Sequence, residues 1–259
     1  MTNTNSPVLE MQNVDKHFGG VHAINDFSVK IERGKIHGLI GPNGAGKTTI
    51  FNNITGIYAP DSGKIFFMEN DITKTTPHKV AQLGIGRTFQ NIRLFSNLSV
   101  VDNVIIASNM DAKYNMPQAI FKTAKYKKLE AYLREEAMDL LGFVGLSDKA
   151  NERASSLPYG HQRKLEIARA MALKPKLLLL DEPAAGMNAE ESLDLVQFVK
   201  EIKSHFDITI LMIEHHMDVV TNLCDHCTVL NFGKTIAVGT PAEIKSNPEV
   251  IKAYLGGDE

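Results

Sequence analysis

The run Gly41-Pro42-Asn43-Gly44-Ala45-Gly46-Lys47-Thr48-Thr49 constrains this chain more than any other stretch. It fills the phosphate-loop pattern G-x-x-x-x-G-K-[ST] without a mismatch. Lys35 to Ile40 before it reads as a buried strand, and Ile50 to Thr55 after it continues as a helix. That strand–loop–helix context demands an α/β unit. Glycines let the backbone turn so that successive N–H groups face an anion, and the helix starting near Lys47 adds the positive end of its dipole. In this pattern Lys47 reaches the β- and γ-phosphates of a nucleotide, and the Thr48 hydroxyl sits on Mg²⁺. Thr49 is placed to add a contact nearer the α-phosphate.

The rest of the chain supplies material for one large α/β core. The 259 residues are 43% hydrophobic and 22% charged, enough for a sizeable core, and the net charge of −2 offers no global basic field for nucleic acid or an anionic membrane. Val8 to Met11, Phe27 to Ile31 and Gly63 to Phe67 read as strands. A helical zone follows, with Tyr126, Leu129, Leu133, Ala137, Leu140 and Val144 as one apolar stripe read as plain core packing. Asn109 to Thr123 is irregular. Leu177 to Leu180 and Thr209 to Ile213 have the continuous apolar character of parallel strands buried on both faces. Asn188-x-x-Glu191 caps a helix to about Ser204, with Leu193, Val196, Val199 and Ile202 as one face. Thr228 to Leu230 and Lys234 to Val238 read as a short antiparallel pair.

These elements describe a single domain over residues 7–259. Its core comprises 7–87 and 166–259, interrupted by a helical insert at about 88–165, and the two core segments need each other to complete one sheet. The apolar run Leu177 to Leu180 is far too short to cross a bilayer. Met1 to Pro7 is polar and reads as a frayed end, so a cytosolic protein is expected, one able to dock on a membrane-spanning partner. Cys224 and Cys227 form a lone C-x-x-C, half of a four-ligand zinc site unless His215 or His216 joins; both read as small core or helix-end residues.

Further chemistry gathers at strand ends. Asp181-Glu182 directly follows the four-leucine strand, where phosphate-loop enzymes place a carboxylate on Mg²⁺; Asp181 fits that position, and Glu182 is placed to act as general base toward water. Glu214-His215-His216 follows the next buried strand, and His215 is positioned to reach the γ-phosphate and the attacking water. The carboxyl ends of parallel strands form the ligand crevice of open α/β sheets, so three segments converge on one site. Leu157-Pro158-Tyr159-Gly160-His161 opens a second helix, another anion seat that finds a ligand only if two copies meet head to tail.

Taken together, these motifs make the chain resemble, over nearly its full length, the ATP-binding subunit of an ABC transporter. The resemblance implies a P-loop NTPase core with a mostly parallel sheet, an N-terminal antiparallel β subdomain and an inserted helical subdomain. It implies ATP clasped with Mg²⁺ between the phosphate loop of one copy and the signature turn, Tyr159-Gly160-His161, of another. Phe18 resembles the aromatic residue that stacks on adenine, its alternative being a core side chain. Gln90, in Arg87-Thr88-Phe89-Gln90, resembles the glutamine that touches Mg²⁺ and water. Glu182 resembles the catalytic base and His215 the switch histidine.

Two departures stand out. Pro158 replaces the usual serine of the signature and offers neither hydroxyl nor N–H. Asn188 stands where many members have aspartate. The Ala184 to Asn188 segment, Ile213-Glu214-His215, Arg87 to Gln90, the closing Ala253-Tyr254-Leu255-Gly256 and the extended Ser108 to Lys128 resemble the branched-chain amino-acid importer ATPases. The lipopolysaccharide-export ATPases share much of the core and are the nearest alternative. This implies a homodimer, or a heterodimer with a paralogous ATPase subunit, held on the inner face of the cell membrane by permease subunits and serving a solute-binding protein indirectly. A soluble ATPase acting on nucleic acid or ribosomes is disfavoured by the lack of basic tracts, and a phosphate-loop kinase by the lack of an acceptor site.

Overall fold

The computed structural model describes residues 6–108 and 120–255. The expected irregular stretch Asn109 to Thr123, the Ser108 to Lys128 extension and the frayed N-terminus therefore lie largely outside the described residues.

Two compact units emerge, one from residues up to 90 together with 176 onward, the other from residues 91–175. The larger unit opens with a long hairpin, β1 (Leu9–Phe18) and β2 (Val21–Ile31), followed by β3 (Ile36–Ile40), α1 (Lys47–Ile54), β4 (Ser62–Phe67), β5 (Asn70–Asp71), α2 (Pro77–Leu83) and β6 (Ile85–Arg87). The smaller unit carries α3 (Val100–Ser108), α4 (Ala124–Phe143) and α5 (Tyr159–Met171). The larger unit resumes with β7 (Leu177–Asp181), α6 (Ala189–Phe206), β8 (Thr209–Ile213), α7 (Met217–Leu223), β9 (His226–Asn231), β10 (Lys234–Gly239), α8 (Pro241–Ser246) and α9 (Pro248–Leu255). The division at 175/176 leaves α5 whole, whereas a boundary at 165 would cut it.

One sheet is antiparallel, in the order β2-β1-β4-β5; the other runs β10-β9-β3-β8-β7-β6. In the second, β3, β6, β7, β8 and β9 are parallel to their neighbours and only β10 turns back on β9. The N-terminal β3 and β6 are thus interleaved with strands from the C-terminal segment. Every residue of β3, β7 and β8 is buried, as strands covered on both faces require. Leu39, Ile50, Phe51, Leu179, Leu211 and Ile213 share one core with Leu9, Phe27 and Phe67 of the antiparallel sheet. Each such side chain contributes roughly 1.5–3 kcal/mol by leaving water.

Among the buried polar groups of the described residues, Asn53 Oδ1 on α1 has no hydrogen-bond partner, whereas His37 on β3 does. The His37 ring on β3 meets Thr228 Oγ1 at 2.8 Å, and burial pushes its pKa down to about 4. Asn188 caps α6 through a complete capping box with Glu191. The buried face of α6 differs from the sequence expectation: Leu193 is 60% exposed, and Leu195 and Phe198 join Val196, Val199 and Ile202 inside. The α4 stripe buries Leu133 and Ala137, with Leu141 taking the place expected for Leu140, which is only half-buried. Among the described residues no helix is long and apolar enough to cross a membrane.

Candidate functional site

The parallel register brings four chain segments to one edge of the larger sheet. Leu39 pairs with Ile213, Asp181 with Ile213, and Arg87 with Leu179, so β3, β6, β7 and β8 end close together. Beyond those ends lie the phosphate loop, Gln90, Glu182 and His215.

The loop itself is held by close backbone contacts. Gly41 and Gly46 have φ of 148° and 102°, and a Cβ on either would fall 2.2 Å from Leu230 O or 2.4 Å from Ala23 O. Only glycine fits both positions. The β9–β10 turn is fastened behind the loop, with Gly233 N donating to Ala45 O at 3.0 Å. Gly46 caps α1 without a side-chain hydrogen bond, and the first turn of the helix contains no acidic residue, so its N-terminal dipole faces no protein carboxylate within that turn. Lys47 is buried and donates to Gly41 O at 2.6 Å and Pro42 O at 2.9 Å. Burial lowers its pKa, while the charges of Glu182 and Asp181 act in the opposite sense.

These groups line a cleft of about 360 Å³, bounded by Asn43 to Thr49, Gln90, Glu182, Val21 to Ala23 and Phe232. Its chemistry suits a triphosphate: a fixed ammonium, a loop of backbone N–H groups and a helix N-terminus. Thr48, Gln90 and Asp181 offer hydroxyl, amide and carboxylate oxygens, the hard donor set that Mg²⁺ takes.

Glu182 lies at the meeting point of the expected catalytic groups. Its backbone is held at φ 47°, unusual outside glycine, and its N–H donates to Ile213 O at 3.0 Å. Glu182 Oε2 accepts from Gln90 Nε2 at 2.7 Å and lies 3.8 Å from His215 Nδ1. A carboxylate so placed can take a proton from water while its neighbours fix its orientation.

Phe18 sits at the end of β1, 41% exposed and edge-on to Tyr58 at 5.2 Å, which rules out the core alternative. The hairpin residues lining the cleft are Val21, His22 and Ala23. Tyr159, Gly160 and His161 form the first turn of α5, with Pro158 at its N-cap and no side-chain cap; a Cβ on Gly160 would meet open space. In the same helix, fully buried Arg163 pairs with Glu166 at 2.8 Å. Among the described residues, Glu214, His215 and His216 form the one His/Cys/Asp/Glu group near enough to share an ion. Cys224 and Cys227 are free buried thiols outside it, at the end of α7 and in β9.

Arg87 and Glu214 belong to this site although their side chains stand out little in the sequence. Arg87 Nη2 meets Asp181 Oδ2 at 2.9 Å, with both side chains buried. Its Nη1 donates to Asn52 Oδ1 and Thr55 Oγ1, and its guanidinium lies over the Phe51 and Phe89 rings. A charged residue closing the three-residue strand β6, three positions before Gln90, was the available signal; its partner is 94 residues away.

Comparison with known proteins agrees with this geometry. Residues 24–185 match the ABC transporter family, and residues 234–259 match the family described as branched-chain amino acid ATP-binding cassette transporter. The high-affinity branched-chain amino acid transport ATP-binding protein BraF of Pseudomonas aeruginosa is 43% identical over 96% of this chain and 98% of its own length. LivG of Escherichia coli, with the same description, is 40% identical over the same shares. The crystal structure of the ADP conformation of MJ1267, an ATP-binding cassette of an ABC transporter, superimposes with a TM-score of 0.85 at 32% identity, covering 97% of this chain and 100% of that one.

Proposed function

Since this chain belongs to the ABC transporter family of ATP-binding proteins, we propose that it is the ATP-hydrolysing subunit that powers branched-chain amino-acid uptake through separate transmembrane subunits. The match of residues 234–259 and the names of BraF and LivG support the substrate class. The observation that carries the reaction is the convergence of Gln90 and His215 on Glu182 beside an intact phosphate loop.

In this reading the loop N–H groups and Lys47 hold the triphosphate, and Thr49 adds a contact nearer its α-phosphate. Thr48, Gln90 and Asp181 would hold Mg²⁺, which would offset phosphate charge. Glu182 accepts a proton from water as the water oxygen bonds to the terminal phosphorus and the bond from that phosphorus to the ADP oxygen breaks. Gln90 and His215 orient Glu182 and that water. Phe18 serves the adenine ring from the hairpin. Tyr159, Gly160 and His161 serve the nucleotide held by a second copy or by a paralogous ATPase subunit. The assembly sits on the cytoplasmic face of the cell membrane, held by permease subunits, and meets the solute-binding protein only through them.

The Glu182→Gln variant tests this directly. It is expected to bind ATP, to release phosphate at least 10²-fold more slowly, and to accumulate as an ATP-bound dimer on size exclusion. Normal turnover in that variant overturns the assignment. Leucine uptake by vesicles carrying the co-purified membrane subunits, measured with and without this chain, tests the substrate class.

A further inference from the structure

We propose that Glu214 is a positioning residue that locks the turn carrying Glu182 to the histidine loop, so that base and histidine are set as one unit. The inference rests on the ATPase reading above and adds a residue to its machinery. Glu214 is the first residue beyond β8 and is fully buried. Its carboxylate accepts four N–H groups. Ala184 N donates to Oε1 at 3.1 Å, while His215 N at 2.9 Å, His216 N at 3.1 Å and His216 Nδ1 at 3.1 Å all donate to Oε2. A carboxylate only accepts, so the His216 proton on this side resides on Nδ1.

The division of labour between the two oxygens is what makes the residue informative. Oε2 shapes its own loop, where His215 begins. Oε1 reaches across to Ala184, two residues past Glu182 and itself fully buried. A second tie runs in parallel, from Glu182 N to Ile213 O at 3.0 Å. The turn is closed internally by Ala185 N to Glu182 O and Met187 N to Ala184 O. Glu182 and His215 therefore sit on two loops joined by two hydrogen bonds, and Glu214 supplies the only side chain in that pair. The 3.8 Å spacing between Glu182 Oε2 and His215 Nδ1 follows from this lacing. Catalytic geometry tolerates displacements of only about 0.5 Å.

Glutamine at this position fills the same volume but brings an NH₂ group to one side. Turned toward Oε2 it would oppose three donors; turned toward Oε1 it opposes one. The second orientation is favoured, and it removes the cross-loop tie while keeping the local bonds. In the full chain, Glu214→Gln is expected to keep the ATP dissociation constant and KM within about 2-fold and to lower kcat roughly 10–100-fold. In a His215→Ala background the same substitution should lower kcat by less than about 2-fold, because both act through one group. The proposal is overturned by an unchanged kcat in Glu214→Gln. It is equally overturned if ATP affinity and thermal stability fall together with kcat, or if the two substitutions multiply. A wild-type chain without ATP turnover would sink the parent reading and this one together, which is a different result from wild-type turnover with an indifferent Glu214→Gln.

Discussion

Replacing Gly46 by alanine tests whether backbone shape, rather than loop composition, makes the phosphate seat. The φ of 102° is strained for any side chain, and the added Cβ would lie 2.4 Å from Ala23 O, a backbone atom that no rotamer can move. Reaching the 3.0 Å floor for real Cβ contacts means opening the loop from the β2 hairpin strand by about 0.6 Å. Gly233 closes the same region, so the shift must propagate into the loop N–H groups or into the β9–β10 turn. Left-handed strain alone costs about 1–2 kcal/mol, and the displacement adds to it; a total near 3 kcal/mol lowers Tm by roughly 6–12 °C for a chain of this size. Misplacing binding groups by about 1 Å costs on the order of 10²-fold, so ATP affinity should fall at least 10-fold. Gly44→Ala is the control: its φ of 79° carries strain, but nothing lies within 4 Å of the new Cβ. It should cost about 1–2 kcal/mol and less affinity. Thermal unfolding and equilibrium dialysis with ATP read both variants. Gly46→Ala binding ATP as tightly as wild type, or Gly44→Ala proving the more damaging, refutes the reasoning.

Arg87→Met should leave the buried Asp181 carboxylate without its cation and destabilise the fold by about 3–5 kcal/mol; an unchanged urea midpoint would contradict this. Pro158→Ser supplies the missing cap of α5 and restores the hydroxyl, so stability should rise by about 1 kcal/mol and ATPase rate should increase; a rate no higher than the parent's counts against the signature role. His37, buried at a pKa of about 4 against an ordinary 6.5, binds fewer protons folded than unfolded between those values. Its contribution is present above pH 6.5 and is lost as pH falls toward 4, by up to about 3 kcal/mol. Unfolding free energies at pH 7 and pH 5 should differ in that direction, and a His37→Gln variant should show a flatter slope.

What could be read in the chain was whatever is local. The phosphate loop, Asp181-Glu182 and the Asn188–Glu191 capping box declare themselves within a few residues, and the structure builds each where it was expected. The buried strands β7 and β8 were legible because an apolar run covered on both faces needs no partner to be recognised. Leu193 was misplaced because α6 offers two overlapping apolar stripes, and only packing decides which one faces inward. Arg87 and Glu214 stayed hidden for a different reason. Their partners, Asp181 and Ala184, come from distant strand ends brought alongside by sheet order. Val21 and Phe232 join the cleft wall through the hairpin and the β9–β10 turn, which no motif marks.

The interleaved sheet also dictates when the chain becomes competent during synthesis. The strand that launches the phosphate loop, β3, finds both its sheet neighbours in β8 and β9, far downstream of it in the chain. A ribosome paused after Pro175 would already have made every residue of the loop, yet its Ile36–Ile40 run would still be an unpaired apolar ribbon. Nucleotide capture must therefore await synthesis of β8 and β9, and until then this segment is open to mispairing.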